Sequence, residues 1–174
     1  IAVNISAINI QDPEFPDQVA KLLKESTVPP SRLELEITET AVMAEPVRAV
    51  SCIKRLSALG LQISIDDFGT GYSSMAYLKD LLVAKIKIDR SFVKDMAVNH
   101  NDAVIVRSTI ELGHNLGLKV IAEGVETEGA WDRLKALGCD DAQGYYMSRP
   151  LPSDKFAEWL QQSPWGMKKK NKPK

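Results

Sequence analysis

Hydrophobic and polar residues follow two periods along this chain. Leu61-Gln62-Ile63-Ser64-Ile65 alternates apolar and polar, the period of two that half-buried strands show. Similar short runs predict strands around Ala2–Ile5, Leu33–Ile37, Lys85–Ile88, Lys119–Ala122 and Asp141–Tyr145. Between them, helix-period patterns predict helices near Pro16–Ser26, Pro46–Leu59, Ser74–Leu81, Asp102–Leu116 and Thr127–Leu137. A last helix over Asp154–Gln162 follows Pro150 and Pro152, with Ser153 as its N-cap. Phe156, Trp159 and Leu160 give it an apolar stripe that reads as core.

One local pattern recurs. Ala58-Leu59-Gly60-Leu61, Asn115-Leu116-Gly117-Leu118 and Ala136-Leu137-Gly138-Cys139 each end a helix on glycine and lead into a strand. Helix, glycine, short strand and polar residue form the rhythm of βα units, so the fold class is α/β with a parallel sheet.

The strands end in a consistent way. They deliver, in order, Asn4, Glu36 with Glu39, Asp66 with Asp67, Lys87 with Asp89, Glu123 with Glu126, and Gln143. In parallel α/β proteins the C-terminal edge of the sheet is where ligands bind, and in a barrel it is the active-site face. Helix capping explains such a series poorly, because caps favour Ser, Thr, Asp and Asn over Glu, Lys and Gln. The doublet Asp66-Asp67 stands at a strand end before the loop Gly69-Thr70-Gly71. Adjacent carboxylates repel unless a cation is near or one is protonated. Hard oxygen ligands suit Mg²⁺ or Mn²⁺. A turn is the plainer reading of Asp and Gly together. The kinase reading of Asp67-Phe68-Gly69 has none of its companion motifs here.

The chemistry suggested is metal-dependent attack by water. Asp66 is placed to bridge two cations, and two metals about 4 Å apart stabilise both the attacking and the leaving oxygen of a phosphoryl displacement. A lysine among these acids has a raised pKa and offers a donor to phosphate or water. His100, read in a polar loop, and His114, within a helix, read as structural or exposed, and no nucleophilic triad is present. A Schiff-base aldolase using Lys87 is the other enzyme class a barrel of this kind would suggest.

Composition narrows the field little. The chain has 174 residues, 44% hydrophobic and 26% charged, with a formal net charge of −1, which gives no global attraction to nucleic acid. No apolar run approaches the ~20 residues of a membrane helix, and no signal peptide opens the chain. Cys52 and Cys139 match no metal spacing and read as reduced thiols, which suggests a cytoplasmic setting. Residue 1 is Ile and opens directly into a strand, so an upstream segment is expected. Residues 1–163 are expected to form one domain, and 164–174 a solvated Lys-rich tail.

Asn4-Ile5-Ser6, Glu36-Ile37-Thr38-Glu39, Asp66-Asp67-Phe68-Gly69-Thr70-Gly71, Lys87-Ile88-Asp89, Glu123-Gly124-Val125-Glu126 and Gln143-Gly144-Tyr145 resemble, in order and spacing, the EAL domain. The resemblance implies a TIM-like (β/α) barrel that hydrolyses cyclic di-GMP to linear pGpG with Mg²⁺ or Mn²⁺ at a two-metal site. It implies that Asn4, Glu36 and Asp66 hold a first metal and that Asp66 and Asp67 hold a second. By the same likeness Lys87 holds the catalytic water or a phosphate oxygen, and Glu123 is the essential acid. Glu39 anchors the loop Phe68–Ser74, which in the family couples the dimer interface to the metals. Asp89, Glu126 and Gln143 support substrate or loop.

This sequence departs from the family pattern in three respects. The Glu-Ala-Leu signature is absent, with the metal ligand and the neighbouring phosphate-binding arginine that go with it. Two family strands would precede Asn4, so about six of the barrel strands are expected and the barrel is expected to be incomplete and the chain inactive alone. Leu82 and Ala84 stand where Pro and Asp are usual, which puts the start of the Lys87 strand in question. A homodimer, an upstream sensory or GGDEF-type domain, and a place in the bacterial cytoplasm or in the cytoplasmic part of a larger membrane-associated protein are the partners and setting implied. The alternative is a regulatory module that binds cyclic di-GMP or dimerises without catalysis.

Overall fold

The computed structural model describes residues 1–71 and 78–166. Six strands form one sheet: β1 (Ala2–Ile5), β2 (Glu34–Thr38), β3 (Gln62–Phe68), β4 (Lys85–Ile88), β5 (Lys119–Ala122) and β6 (Asp141–Ala142). They lie in sequential order and every neighbouring pair is parallel. This is the wall of a (β/α) barrel, and among the described residues the sheet is not closed.

The helices are α1 (Ala7–Gln11), α2 (Phe15–Glu25), α3 (Glu39–Ala44), α4 (Pro46–Ala58), α5 (Arg90–Val93), α6 (His100–Asn115), α7 (Glu128–Ala136) and α8 (Ser153–Gln162). Ile53 and Leu56 of α4 and Val106 and Ile110 of α6 meet Ile37, Ile63, Ile65, Ile86 and Val120 of the sheet in one continuous core. Alternation therefore sends one face of each strand to the helices and leaves the other, with its charged residues, to the barrel interior. Gly113 lets α6 approach closely: a Cβ there would lie 2.5 Å from Val120 Cγ2.

The predicted strands and long helices are present within a residue or two, with instructive exceptions. β3 runs on to Phe68, past the expected end at Ile65, so Asp66 and Asp67 at the strand end lie within the strand itself. β6 is two residues long because Gly144 already belongs to a turn, with Met147 N bonded to Gly144 O at 3.1 Å. Three short helices, α1, α3 and α5, have too few turns to show a period, but each begins at a side-chain cap (Ser6, Thr38 and Asp89). His100 opens α6 rather than lying in a loop, because Asn99 caps that helix. Ser153 is the first residue of α8 and not its cap, and Pro152 holds the cap position without a side-chain bond. Residues 74–77 of the helix expected over Ser74–Leu81, and the lysines of 168–174, lie outside the described residues. Trp165 packs on Trp131 and Tyr146, with ring centroids 4.6 and 5.8 Å apart.

The start of β4 is regular despite Leu82 and Ala84. Ala84 N donates to Ile63 O at 2.8 Å and Ala84 O accepts from Lys119 N at 3.1 Å, tying β4 to both neighbours. No helix among the described residues is long and apolar enough to cross a membrane.

Candidate active site

Neighbouring residues in a regular strand point to opposite faces. Asp66 and Asp67 nonetheless offer oxygens within 4.8 Å of each other and of a Glu123 oxygen. A bulge resolves the conflict. Between Ile65 and Phe68, β3 spends three residues where β4 spends two, from Ile86 to Ile88. Asp67 takes φ +54°, the only positive φ outside glycine among the described residues. Bulges re-aim side chains, and Asp is among the few residue types that tolerate this conformation. Such strain costs about 1 kcal/mol or more and persists where the surroundings impose it.

The loop after the bulge is fastened from below. Glu39 opens α3 behind its Thr38 cap and is 2% exposed. Its Oε2 accepts from Gly69 N at 2.9 Å and Gly71 N at 3.4 Å. Gly69, at φ +97°, supplies the left-handed turn, and a Cβ on Gly71 would come within 3.4 Å of the Glu39 carboxyl.

Lys87 stands at the centre. It is 3% exposed, on β4, and its Nζ lies 2.9 Å from Glu36 Oε1 on β2, 3.1 Å from Asp66 Oδ1 on β3 and 2.6 Å from Glu123 Oε1 just past β5. Burial disfavours the ammonium, but hydrogen bonds to Glu123 and Glu36 and the charges of Glu123 and Asp66 outweigh it, leaving the lysine pKa raised. A lysine in contact with three carboxylates is a poor Schiff-base nucleophile, which argues against the aldolase reading. Burial also raises the Glu123 pKa, against the hydrogen bond and charge of Lys87. Asp67 is raised by burial and by the nearby Asp66 and Asp89.

The remaining predicted residues fall around this centre. Asn4 is level with Glu36 in the β1–β2 register and is exposed. Gln143 Nε2 donates to Glu123 Oε1 at 2.9 Å. Asp89 caps α5, accepting from Ser91 N at 2.9 Å, and this holds its pKa down against burial. That carboxylate is a helix cap as well as a strand end. His100 is exposed, and His114 is bound to Asp140 at 2.9 Å on the opposite edge of the sheet, where β5 begins.

Beside Glu123 opens a cavity of about 480 Å³, lined by Glu123, Glu126 and Gln143 and by Arg90, Arg149, Phe156 and Trp159 among others. Arg149 lies over the Tyr145 ring at 4.6 Å, and Phe156 stacks on Trp159 at 5.9 Å. Phe156 and Trp159 of the α8 stripe are therefore cavity wall and not core, with Phe156 49% exposed. Sequence reasoning missed the roles of Arg90, Arg149 and this aromatic pair. The spacing of Phe156 and Trp159 marks a helix face, but which surface that face meets is a tertiary matter.

A family profile described as EAL domain matches residues 1–150. The chain belongs to the EAL domain family. It is 44% identical over 156 residues to the bifunctional diguanylate cyclase/cyclic di-GMP phosphodiesterase MucR of Pseudomonas aeruginosa, covering 90% of this chain and 23% of that protein. It is 41% identical over 160 residues to the cyclic di-GMP phosphodiesterase NbdA of the same organism, covering 92% of this chain and 20% of that one. The MucR phosphodiesterase solved as a complex with c-di-GMP superposes with a TM-score of 0.85 at 44% identity, over 90% of this chain and 63% of that one. The EAL domain of Mycobacterium smegmatis DcpA gives 0.86 at 39% identity, over 93% and 72%. The chain thus spans about a fifth of the length of the curated relatives it matches. The six parallel strands are the corresponding part of the TIM-like barrel of those EAL domains.

The donor set fits a hard divalent cation. Asp66, Asp67 and Glu123 offer only oxygens, spaced for one such ion, and Glu36 lies 2.9 Å from Lys87 Nζ. Among the described residues no histidine or cysteine joins the cluster, a donor set that suits a hard cation better than zinc.

Proposed function

We propose that the EAL domain to which this chain contributes hydrolyses cyclic di-GMP to linear pGpG. The observation that carries this reading is the convergence of Lys87, Glu36, Asp66, Asp67 and Glu123 at one point beside a polar and aromatic cavity. The names of the relatives, cyclic di-GMP phosphodiesterases, supply the substrate.

Asp66 and Asp67, with Glu36 and Asn4, are the residues to hold Mg²⁺ or Mn²⁺. Bound there, such ions polarise a phosphoryl oxygen and activate a water. Glu123 orients the attacking water and accepts its proton. Its pKa, raised by burial, suits it to that task better than an ordinary glutamate. Gln143 fixes the Glu123 carboxylate through its amide. Lys87 stays charged throughout and donates to the nucleophile or to a developing phosphorane oxygen. Arg90 and Arg149 face the phosphates and a base edge, and Phe156 with Trp159 offers a stacking surface to a purine. Glu39 holds the bulge and its loop in place.

The finer assignments are part of the same reading. An upstream sensory or cyclase domain agrees with the length and the bifunctional name of MucR, and a homodimer through the loop at 68–74 in a cytoplasmic protein completes this reading. The 174 residues alone, with β1 as a sheet edge and Asn4 exposed, should bind cations and substrate without turning substrate over.

The test is direct. The full parent domain, with Mg²⁺ or Mn²⁺, should convert cyclic di-GMP to pGpG by chromatography, and a Glu123→Gln variant should not. Tight binding without turnover in the full domain would instead favour a regulatory module.

A further inference from the structure

The oxygens offered to a divalent cation are the same ones that Lys87 touches. Asp66 and Glu123 belong to the carboxylate cluster, and both lie within 3.1 Å of Nζ, as does Glu36. We infer that Lys87 is the internal counter-ion of the cation-free site, and that a divalent ion binds by displacing its ammonium from the oxygens the two would share, those of Asp66 and Glu123. The inference rests on the metal reading above.

Three observations carry it. First, Lys87 cannot leave with its charge. Its Cα is paired in register with Ile121 in the middle of the sheet, and the side chain is 4% exposed, so the ammonium swings within the site or stays. Second, the charges do not balance. Glu36, Asp66, Asp67 and Glu123 are four carboxylates against one ammonium. The site therefore attracts further positive charge while its best ligand oxygens are already shared. Third, the lysine one rung lower is committed elsewhere. Lys85, two residues earlier on β4, reaches across β3 to Glu34 on β2 at 2.6 Å, over the small Ser64. Among the described residues Glu34 is its one ion-pair partner, so Lys85 does not compete for Glu36 or Asp66.

The consequence is a coupling. Like charges sharing ligand oxygens repel, so cation and ammonium cannot both keep their best positions. Cation entry then displaces Lys87 from Asp66 and Glu123 and frees its N–H groups to meet phosphate or water. One event both neutralises the carboxylates and aims the lysine.

Manganese binding to the 174-residue chain, followed by electron paramagnetic resonance, tests this without turnover. Lys87→Met should bind Mn²⁺ at least ~10-fold more tightly than wild type, through removal of a cation in contact with the ligands. Lys85→Met removes the same charge without touching Glu36, Asp66 or Glu123, and should change affinity by less than about 3-fold. Thermal melts give a second readout. Cation-free Lys87→Met should melt lower than wild type, and Mn²⁺ should raise its Tm by more. Should Lys87→Met not fold, Lys87→Gln and the wild-type Lys87 ¹³Cε resonance serve instead, and that resonance should move in step with Mg²⁺ saturation. Equal tightening in both methionine variants would reduce the effect to net charge and overturn the inference. Weaker binding by Lys87→Met, or an unmoved resonance, would overturn it as well. Absence of Mn²⁺ binding in wild type and both variants would remove the metal reading itself, and the inference with it.

Discussion

Replacing Gly144 by alanine should damage the site from a distance, and the structure sets the scale. A Cβ on Gly144 would lie 2.1 Å from Val125 O and 2.3 Å from Val125 N. Both are backbone atoms in use: Val125 N donates to Gln143 O at 3.1 Å, and Val125 O accepts from Tyr146 N at 2.9 Å. A rotamer change cannot relieve the collision, so the two segments must move apart by about 1 Å, an overpacking that costs about 1–3 kcal/mol. For a domain of this size that lowers Tm by roughly 4–8 °C at 2 kcal/mol. The displaced segments carry Gln143 and Glu123, joined at 2.9 Å. A misplacement of about 1 Å in such a constellation can reduce turnover ~100-fold. Gly138→Ala is the control: Gly138 has φ +75° and nothing within 4 Å of its added Cβ, so that change strains the backbone without a collision. The assay pairs melts of both variants with cyclic di-GMP hydrolysis in the full domain. Gly144→Ala should lose both stability and kcat, whereas Gly138→Ala should lose about 1–2 kcal/mol of stability with kcat retained. If Gly144→Ala retained kcat within about 3-fold of wild type, the close packing of the Gln143 turn on Val125 would not be what positions Glu123.

Asp66→Asn should cut hydrolysis by the full domain at least ~100-fold while leaving the fold intact, because the shared ligand loses its charge. Near-normal turnover at saturating Mg²⁺ would exclude Asp66 from that role. Ser64→Ala should stabilise the chain by about 1 kcal/mol in denaturant titrations, since the buried Ser64 Oγ has no hydrogen-bond partner among the described residues. A loss of comparable size would show that the hydroxyl is satisfied. Asp140 has a lowered pKa: bonds from Val120 N and His114 outweigh the opposing burial. Its contribution is therefore present above the ordinary value of 3.8 and fades as pH falls through the lower folded value. Asp140→Asn should cost about 1 kcal/mol at pH 7, discounted for the partial exposure of the pair, with the gap closing below pH 4. A gap unchanged at pH 3 would contradict that origin.

Much of this protein is written in residue order. The apolar–polar alternation at Leu61–Ile65 and the glycine caps at Gly60, Gly117 and Gly138 determined the strands and the long helices, because strand and helix periods are local properties of the chain. The procession of acids, amides and one lysine at strand ends determined the working edge, since a parallel sheet brings all such ends together. Other features exist only once the strands are paired. The bulge that turns Asp67 toward Asp66 comes from the mismatch between β3 and β4, which neither strand carries alone. Only the sheet fixes that Lys87 reaches Glu36, Asp66 and Glu123 while Lys85 reaches Glu34, because each contact crosses strands far apart in sequence. The α8 stripe gave the same helical signal as core, yet its Phe156 and Trp159 line a cavity. Periodicity reports that a face is apolar. What covers that face is decided by the rest of the fold.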